Sequence, residues 1–385
     1  MQNFEFVTVP HILVERGAAA RLGEALRQRY TATRLCVVTD RFLSESGLLA
    51  PALCNLADHG WQVTVIDNVQ ADPPDTVILE AAKRAREASA EVVLGLGGGS
   101  SMDVAKLIAV LCASDQPLAD MYGVGNVKGP RLPLVLMPTT AGTGSEVTAI
   151  SIVTTGQTTK AGVVSPVLMA DLAVLDAELT VGLPAQATAA TGIDAMVHAI
   201  EAYTSARLKN PVSDCLAVRA LQMLAGNLLT ACRDGANLDA RSNMLVGAML
   251  AGQAFANAPV AAVHALAYPL GGHFHVAHGL SNALVLDPVL RFNLPAATAQ
   301  YAELARAVFP EGCPADDASA ARHFIEQMGA LVSATGIPKT LREVGVEEGH
   351  LRMLAADALK QQRLLVNNPR PVTEEDAFEI YKAVF

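Results

Sequence analysis

The sequence predicts an α/β domain built on a parallel sheet, followed by an all-α domain. Short apolar runs alternate with helical patterns through the first half of the chain. Two of those runs end in dense glycine or hydroxyl loops. From about Pro184 onward, long Ala-, Leu- and Met-rich segments take over and no strand alternation remains. Strands that alternate with helices and are apolar on both faces read as a parallel sheet covered by helices. The composition shift near Leu183-Pro184 sets the expected boundary, giving domains 1–183 and 184–385.

The elements follow in order. Leu35 to Thr39 reads as a strand with a turn at Asp40, and Trp61 to Ile66 as another. Val77 to Ala88 has helical spacing with its charges on one side. Glu91 to Leu96 is a third strand that ends in glycines, and Leu132 to Met137 a fourth that ends at Pro138. Ligands of such sheets collect at the carboxyl ends of the strands. In the second half, Ala185 to Ala202, Ser213 to Cys232, Arg241 to Asn257 and Ala296 to Val308 fit helices.

Composition narrows the function classes. With 51% hydrophobic and 17% charged residues in 385, the chain is not largely disordered. Aromatics are 4%, so the core is built from Ala, Val, Leu and Met. The net charge of −10 and the lack of a basic run speak against a nucleic-acid partner. The closest of the six cysteines are Cys215 and Cys232, so there is no CxxC, which argues against a zinc finger or redox dithiol. Buried free thiols are expected. Met1 to Val9 carries Glu5 and no basic region before an apolar stretch, which does not read as a signal peptide and points to the cytoplasm. Ser242 to Leu286 contains no Asp, Glu, Lys or Arg, yet Gln253, Asn257, Pro259 and four histidines interrupt it. A membrane span needs about 20 predominantly apolar residues. The expectation is a buried helical core with polar groups aimed at a site, and no membrane partner.

Four motifs carry chemistry. Gly95 to Asp103 runs from a strand through glycines into a helix from about Met102, with Ser100 or Ser101 as its cap. Glycines admit a pyrophosphate close to the backbone, and a helix N-terminus offers free N–H groups. Pro138 to Glu146 is a hydroxyl-rich loop after the next strand, so the two loops would share one crevice. Asp194 and His198, four apart on a helix, lie on one face. That spacing alone fits an ordinary Asp–His hydrogen bond as well as a metal pair. Finally, His264, His273, His275 and His278 cluster around Tyr268. Together with Asp194 and His198, the cluster supplies one carboxylate and three imidazoles, a set suited to first-row divalent iron or zinc.

Taken together, these motifs resemble the iron-containing (group III) alcohol dehydrogenase family over almost the whole chain. The resemblance runs through Val38-Thr39-Asp40 with Ser46-Gly47, then Gly97 to Ser100 with Asp103 and Lys106, then Pro138 to Glu146. It continues through Ala189 to Glu201 and ends with His264 to Gly279 and Leu280-Ser281-Asn282. It implies a Rossmann-like N-terminal α/β domain and a helical C-terminal domain, the architecture shared with dehydroquinate synthase. The implied metal ligands are Asp194, His198, His264 and His278, holding most often Fe²⁺, with Zn²⁺ as the other candidate. The turn of Gly98, Gly99 and Ser100 would take the cofactor pyrophosphate, with Gly97 and Asp103 also implied as cofactor-binding residues. Thr139, Thr140, Thr143 and Ser145 line the nicotinamide and ribose region, with Lys160 nearby. Asp40 would accept from the adenosine ribose and repel a 2′-phosphate, so NAD is expected over NADP.

The chain departs from the family pattern in places. Tyr268 stands where many members carry a further histidine that helps proton transfer, so Tyr268 and His273 become the candidate catalytic residues. Asp72 stands where many relatives have Asn, and Ala170 precedes Asp171 where Pro is common. Phe255 and Leu266 can shape the pocket. The expected reaction is hydride transfer between NAD(H) and a short- or medium-chain primary alcohol or its aldehyde, in a homodimer or larger homo-oligomer. Two enzyme alternatives remain: a hydroxyacid or diol dehydrogenase, such as a 4-hydroxybutyrate oxidiser, and a dehydroquinate synthase-like lyase. The lyase handles an acidic phosphorylated sugar, which the chain's negative balance disfavours. A non-enzymatic nucleotide-binding protein is a third alternative.

Overall fold

The computed structural model describes residues 3–156 and 159–385, so Met1 and Gln2 of the leader reading lie outside the described residues. The chain divides into two compact units, Val7–Gly182, and Met1–Phe6 with Leu183–Phe385.

The first unit holds every strand found among the described residues. They are β1 (Ile12–Val14), β2 (Arg34–Asp40), β3 (Gln62–Val69), β4 (Val92–Gly97), β5 (Gly123–Val124), β6 (Leu134–Pro138), β7 (Ile150–Thr155), β8 (Thr159–Val164) and β9 (Leu172–Leu175). Six form a wholly parallel sheet in the order β1-β9-β6-β4-β2-β3. Its central strands β4, β6 and β9 are buried along their whole length, as expected where helices cover both faces. Its helices are α1 (Leu22–Arg27), α2 (Arg41–Glu45), α3 (Ala50–Asp58), α4 (Asp75–Glu87) and α5 (Gly99–Ala113). A second, three-stranded sheet, β5-β8-β7, is an addition to the expected architecture. At the amino ends of β6 and β9, the Arg131 guanidinium donates to both Asp171 oxygens, at 2.7 and 2.8 Å, and to the carbonyls of Leu132, Val167 and Met169.

The four sequence-read strands appear as β2, β3, β4 and β6. The helix expected from Met102 begins earlier, at Gly99. Ser100 and Ser101 therefore lie inside its first turn, and neither caps it; Gly98 is the N-cap, with no side-chain cap bond. The glycines read as loop because Gly is a poor helix former, yet here they open the helix.

The second unit is helical: α6 (Ala185–Tyr203), α7 (Pro211–Arg233), α8 (Leu238–Asn257), α9 (Ala262–Phe274), α10 (His278–Val308), α11 (Asp317–Ala334), α12 (Leu351–Ala358), α13 (Gln362–Leu365) and α14 (Glu374–Lys382). Helices α6, α7 and α8 pack on one another, and α10 packs on α6, α9 and α11. The uncharged stretch folds as most of α8, all of α9 and the start of α10. Between α8 and α9 the chain turns by 106°. Pro259 explains the break, because the residue before a proline is disfavoured in the helical region. Among the described residues, α7 alone is long and apolar enough by length and composition to cross a membrane, and α8 with α9 would pass only as that bent pair. All six cysteines are free; Cys36 is buried, but Cys54 and Cys215 are exposed, contrary to the uniformly buried thiols expected.

Candidate metal centre and cofactor loops

Helix α6 presents Asp194, His198 and Glu201 along one face, at positions i, i+4 and i+7. All three are buried. The first turn of α9 supplies His264, and His278 opens α10. One ligand atom from each of Asp194, His198, His264 and His278 falls within 4.8 Å of the others. The Nε2 atoms of His198, His264 and His278 stand 3.9, 3.7 and 3.5 Å from Asp194 Oδ1. Ligand bonds of about 2.1 Å in a tetrahedron place ligand atoms about 3.4 Å apart, so these spacings suit a first-row divalent ion. His278 is the most open of the four, with a side chain 32% exposed, which leaves an approach to the set.

Asn282, one turn past His278 on α10, donates from Nδ2 to Asp194 Oδ1 at 2.6 Å. Burial by itself pushes the Asp194 carboxyl up, but the three imidazoles and this amide outweigh it and hold the group below its ordinary value. Asp194 is thus an anion surrounded by groups that favour its charge. Phe255 on α8 stacks on His198 with ring centres 4.2 Å apart, walling one side of the cage. Leu266 is wholly buried in α9, and its carbonyl accepts from Tyr381 Oη at 2.6 Å.

Of the two candidate catalytic residues, Tyr268 lies one turn beyond His264, with its ring centre 6.0 Å from that of His278. His273 is engaged elsewhere: its Nε2 makes a close hydrogen bond to Asp357 Oδ2 on α12. His275 ends α9 in the left-handed region, at φ 54°. Glu201 and Asn282 lie within the sequence motifs, and the fold brings both to the site. Glu201 shares the stripe of Asp194 and His198, which is the signal that could have found it.

In the α/β unit, β2, β4 and β6 are neighbours, so Asp40, the glycine turn and the hydroxyl loop emerge side by side at their carboxyl ends. A groove of about 430 Å³ is lined there by Asp40, Arg41, Phe42, Gly98, Gly99 and Ser100, among others. The first-turn N–H groups of α5 lack intrahelical acceptors and lack a side-chain cap, which suits a pyrophosphate. Gly99 has no room for a side chain: a Cβ there would stand 2.7 Å from Thr143 Cγ2. Asp40 caps α2 by accepting from the Leu43 N–H at 2.9 Å.

Beneath these loops lies a buried polar bolt. The Lys106 ammonium, wholly buried, donates to Ser145 Oγ at 2.8 Å, Thr148 Oγ1 at 3.2 Å and the Ile150 carbonyl at 2.7 Å. Ser145 Oγ donates in turn to Asp103 Oδ1 at 2.6 Å, and the Ile152 N–H to Asp103 Oδ2 at 2.8 Å. Burial pulls the Lys106 ammonium down, against the pull of Asp103. Asp103 and Ser145 therefore tie α5 to the hydroxyl loop and β7. Thr139 is buried, with its N–H on the Gly97 carbonyl at 3.0 Å. Thr140 lies beside the glycine turn, 3.9 Å from where a Gly98 Cβ would stand. Lys160 pairs with Asp72 at 2.6 Å, and Asp72 sits in the left-handed region at φ 51°.

A parallel-sheet unit with a nucleotide turn and a helical unit with a one-carboxylate, three-imidazole cage define a metal-dependent nicotinamide dehydrogenase. Residues 10–177 match the model of the iron-containing alcohol dehydrogenases, and residues 188–385 the C-terminal model of the same family. The chain belongs to the iron-containing alcohol dehydrogenase family, as its motifs suggested. It is 42% identical to long-chain-alcohol dehydrogenase 1 of Geobacillus thermodenitrificans over 93% of this chain and 91% of that one. It is 33% identical to the NAD-dependent methanol dehydrogenase of Bacillus methanolicus over 98% of each. Among solved structures, a 1,3-propanediol oxidoreductase superposes with a TM-score of 0.96 at 33% identity, covering 100% of both chains. The protein is a metal-dependent, NAD-linked alcohol oxidoreductase whose substrates are small-molecule alcohols or aldehydes.

Proposed function

We propose that this enzyme interconverts short- or medium-chain primary alcohols and their aldehydes, with Asp194, His198, His264 and His278 as the metal ligands. The convergence of four ligand atoms within 4.8 Å carries this reading. When bound, a first-row divalent metal supplies Lewis acidity to the alcohol oxygen and NAD accepts the hydride. The chain's own residues prepare that event. The Asp194 carboxylate keeps the cage anionic, Phe255 keeps water from one face of His198, and the half-open side of His278 admits the substrate. The Tyr268 phenol, beside His278, carries the alcohol proton away. On the nucleotide side, the first-turn amides of α5 and the turn Gly97 to Ser100 receive the pyrophosphate, and Asp40 receives the ribose hydroxyls. Thr139, Thr140 and Thr143 flank the nicotinamide ribose, with Lys160 held ready by Asp72. Asp103 and Ser145 support that loop from beneath. Wall residues set chain length weakly, at ~1–3 kcal/mol per methylene. Assembly as a homodimer or larger oligomer belongs to the same proposal.

The diol reading is favoured by one observation, the near-complete superposition on a 1,3-propanediol oxidoreductase. The experiment is NADH formation by protein prepared without oxygen and loaded with ferrous iron. It compares NAD with NADP across ethanol, butanol, 1,3-propanediol and 4-hydroxybutyrate, beside a chelated control. Metal-dependent NAD reduction fastest with a monohydric alcohol is expected. A preference for 1,3-propanediol or the hydroxyacid selects the alternative dehydrogenase. Full metal content and activity in His264→Ala would overturn the ligand assignment.

A further inference from the structure

Glu201 is a buried carboxylate that none of the steps above uses. It lies on α6 one turn beyond His198, and both of its oxygens are engaged with the first turn of α9. Oε1 accepts from the Val263 N–H at 2.7 Å, and Oε2 lies 2.7 Å from His264 Nδ1. Val263 is the second residue of α9, so its N–H has no acceptor within the helix. A carboxylate there also meets the positive end of the helix dipole.

With Oε1 already accepting from Val263 and Oε2 facing Nδ1, the geometry suits a neutral His264 imidazole that donates from Nδ1 and keeps its lone pair on Nε2. Nε2 is the atom that faces Asp194 and His198. We infer that Glu201 is a positioning residue of the metal centre, which fixes the His264 tautomer and aims its Nε2 lone pair at the ligand set while capping α9. The inference rests on the reading of Asp194, His198, His264 and His278 as ligands.

The isosteric variant Glu201→Gln separates orientation from packing. Its amide has one acceptor for two donors. The Val263 backbone N–H cannot change, so it takes the new carbonyl. The amide NH₂ then faces His264 Nδ1, which must become an acceptor, and the proton moves to Nε2. That tautomer cannot ligate. A residue that merely fills space would tolerate this exchange.

The test is titration of the metal-free full-length protein with Co²⁺, read by its visible absorption and by competition with a chromophoric chelator. Wild type, Glu201→Gln and Asp194→Ala are compared. Glu201→Gln is expected to bind Co²⁺ roughly 10–100-fold more weakly than wild type, the usual effect of losing such a partner. NADH binding, read by fluorescence, is expected to stay within about twofold, since the Glu201 hydrogen bonds tie α6 to α9 within the helical unit. Co²⁺ affinity equal to wild type in Glu201→Gln overturns the inference. Absence of Co²⁺ binding in wild type, or unaltered binding in Asp194→Ala, overturns the ligand reading instead. If Glu201→Gln fails to fold, ¹⁵N-histidine spectra of the metal-free wild type decide: an Nδ1–H tautomer at His264 supports the inference and an Nε2–H tautomer overturns it.

Discussion

Gly279 on α10 packs against the backbone of Ala190 on α6 so closely that a Cβ on Gly279 would stand 2.3 Å from the Ala190 carbonyl oxygen. Gly279 follows the proposed ligand His278, and Ala190 lies one turn before Asp194. This contact therefore sets how near α10 brings its imidazole to the carboxylate on α6. Gly279→Ala must push two helix backbones apart, because neither neighbour is a side chain that can swing away. It is expected to destabilise the fold by about 1–3 kcal/mol, as overpacked cores do, and to weaken Co²⁺ binding at least tenfold. Urea unfolding and metal titration check this; a normal affinity would show that the helix spacing does not govern the cage.

Glu146 is wholly buried near Lys106, and burial pushes its carboxyl up to about 7 from 4.5, opposed by its own backbone amide and by Lys106. A carboxyl that holds its proton more tightly folded than unfolded adds stability that is complete below the unfolded value. That stability is lost as pH rises from 4.5 through about 7. Glu146→Gln stays neutral throughout. It is expected to match wild type below about pH 4 and to exceed it above pH 7, by on the order of 3 kcal/mol at the limit. Melting temperatures across this range test the point, and a variant less stable than wild type in alkali would refute it.

Arg131 spans Asp171 and three carbonyls at the amino ends of β6 and β9. A lysine keeps the charge but cannot reproduce the two-pronged geometry. Arg131→Lys is expected to cost about 2 kcal/mol or more in urea unfolding, since hydrogen bonds to charged groups are each worth about 1.5–3 kcal/mol. Cofactor KM should change little, because these contacts lie at the strand ends opposite the nucleotide turn.

Asp40 serves two purposes, capping α2 and facing the groove at the glycine turn. Asp40→Ser retains a competent cap and removes the charge. The expected outcome is a loss of roughly tenfold or more in kcat/KM for NAD, with a gain for NADP and an unchanged melting temperature. Unaltered preference would place the ribose elsewhere.

Elements whose signal is local were legible. The strands β2, β3, β4 and β6 are continuous apolar runs, and the pairing of Asp194 with His198 follows from helical spacing. The three residues of β1 are too few to show a period. β7 and β8 are rich in threonine and interrupted by Lys160 and Gly162, so their antiparallel pairing carries no apolar alternation in sequence. Around the candidate metal centre, the role of a side chain depends on distant partners. Glu201 gains its meaning from His264, 63 residues away. His273 stands among the proposed ligand histidines in sequence, yet its side chain is drawn to Asp357, 84 residues on. Spacing along a helix reveals which face a residue occupies, and only the fold reveals what meets that face.

The bolt of Lys106, Asp103 and Ser145 has a consequence for how the cofactor is met. Those bonds hold the start of α5 and the hydroxyl loop in one arrangement before any nucleotide arrives. The ordering of the cradle is settled once, when the chain folds, and is not repeated at each turnover. On the proposed assignment of these loops to the dinucleotide, its association costs little backbone entropy on the protein side.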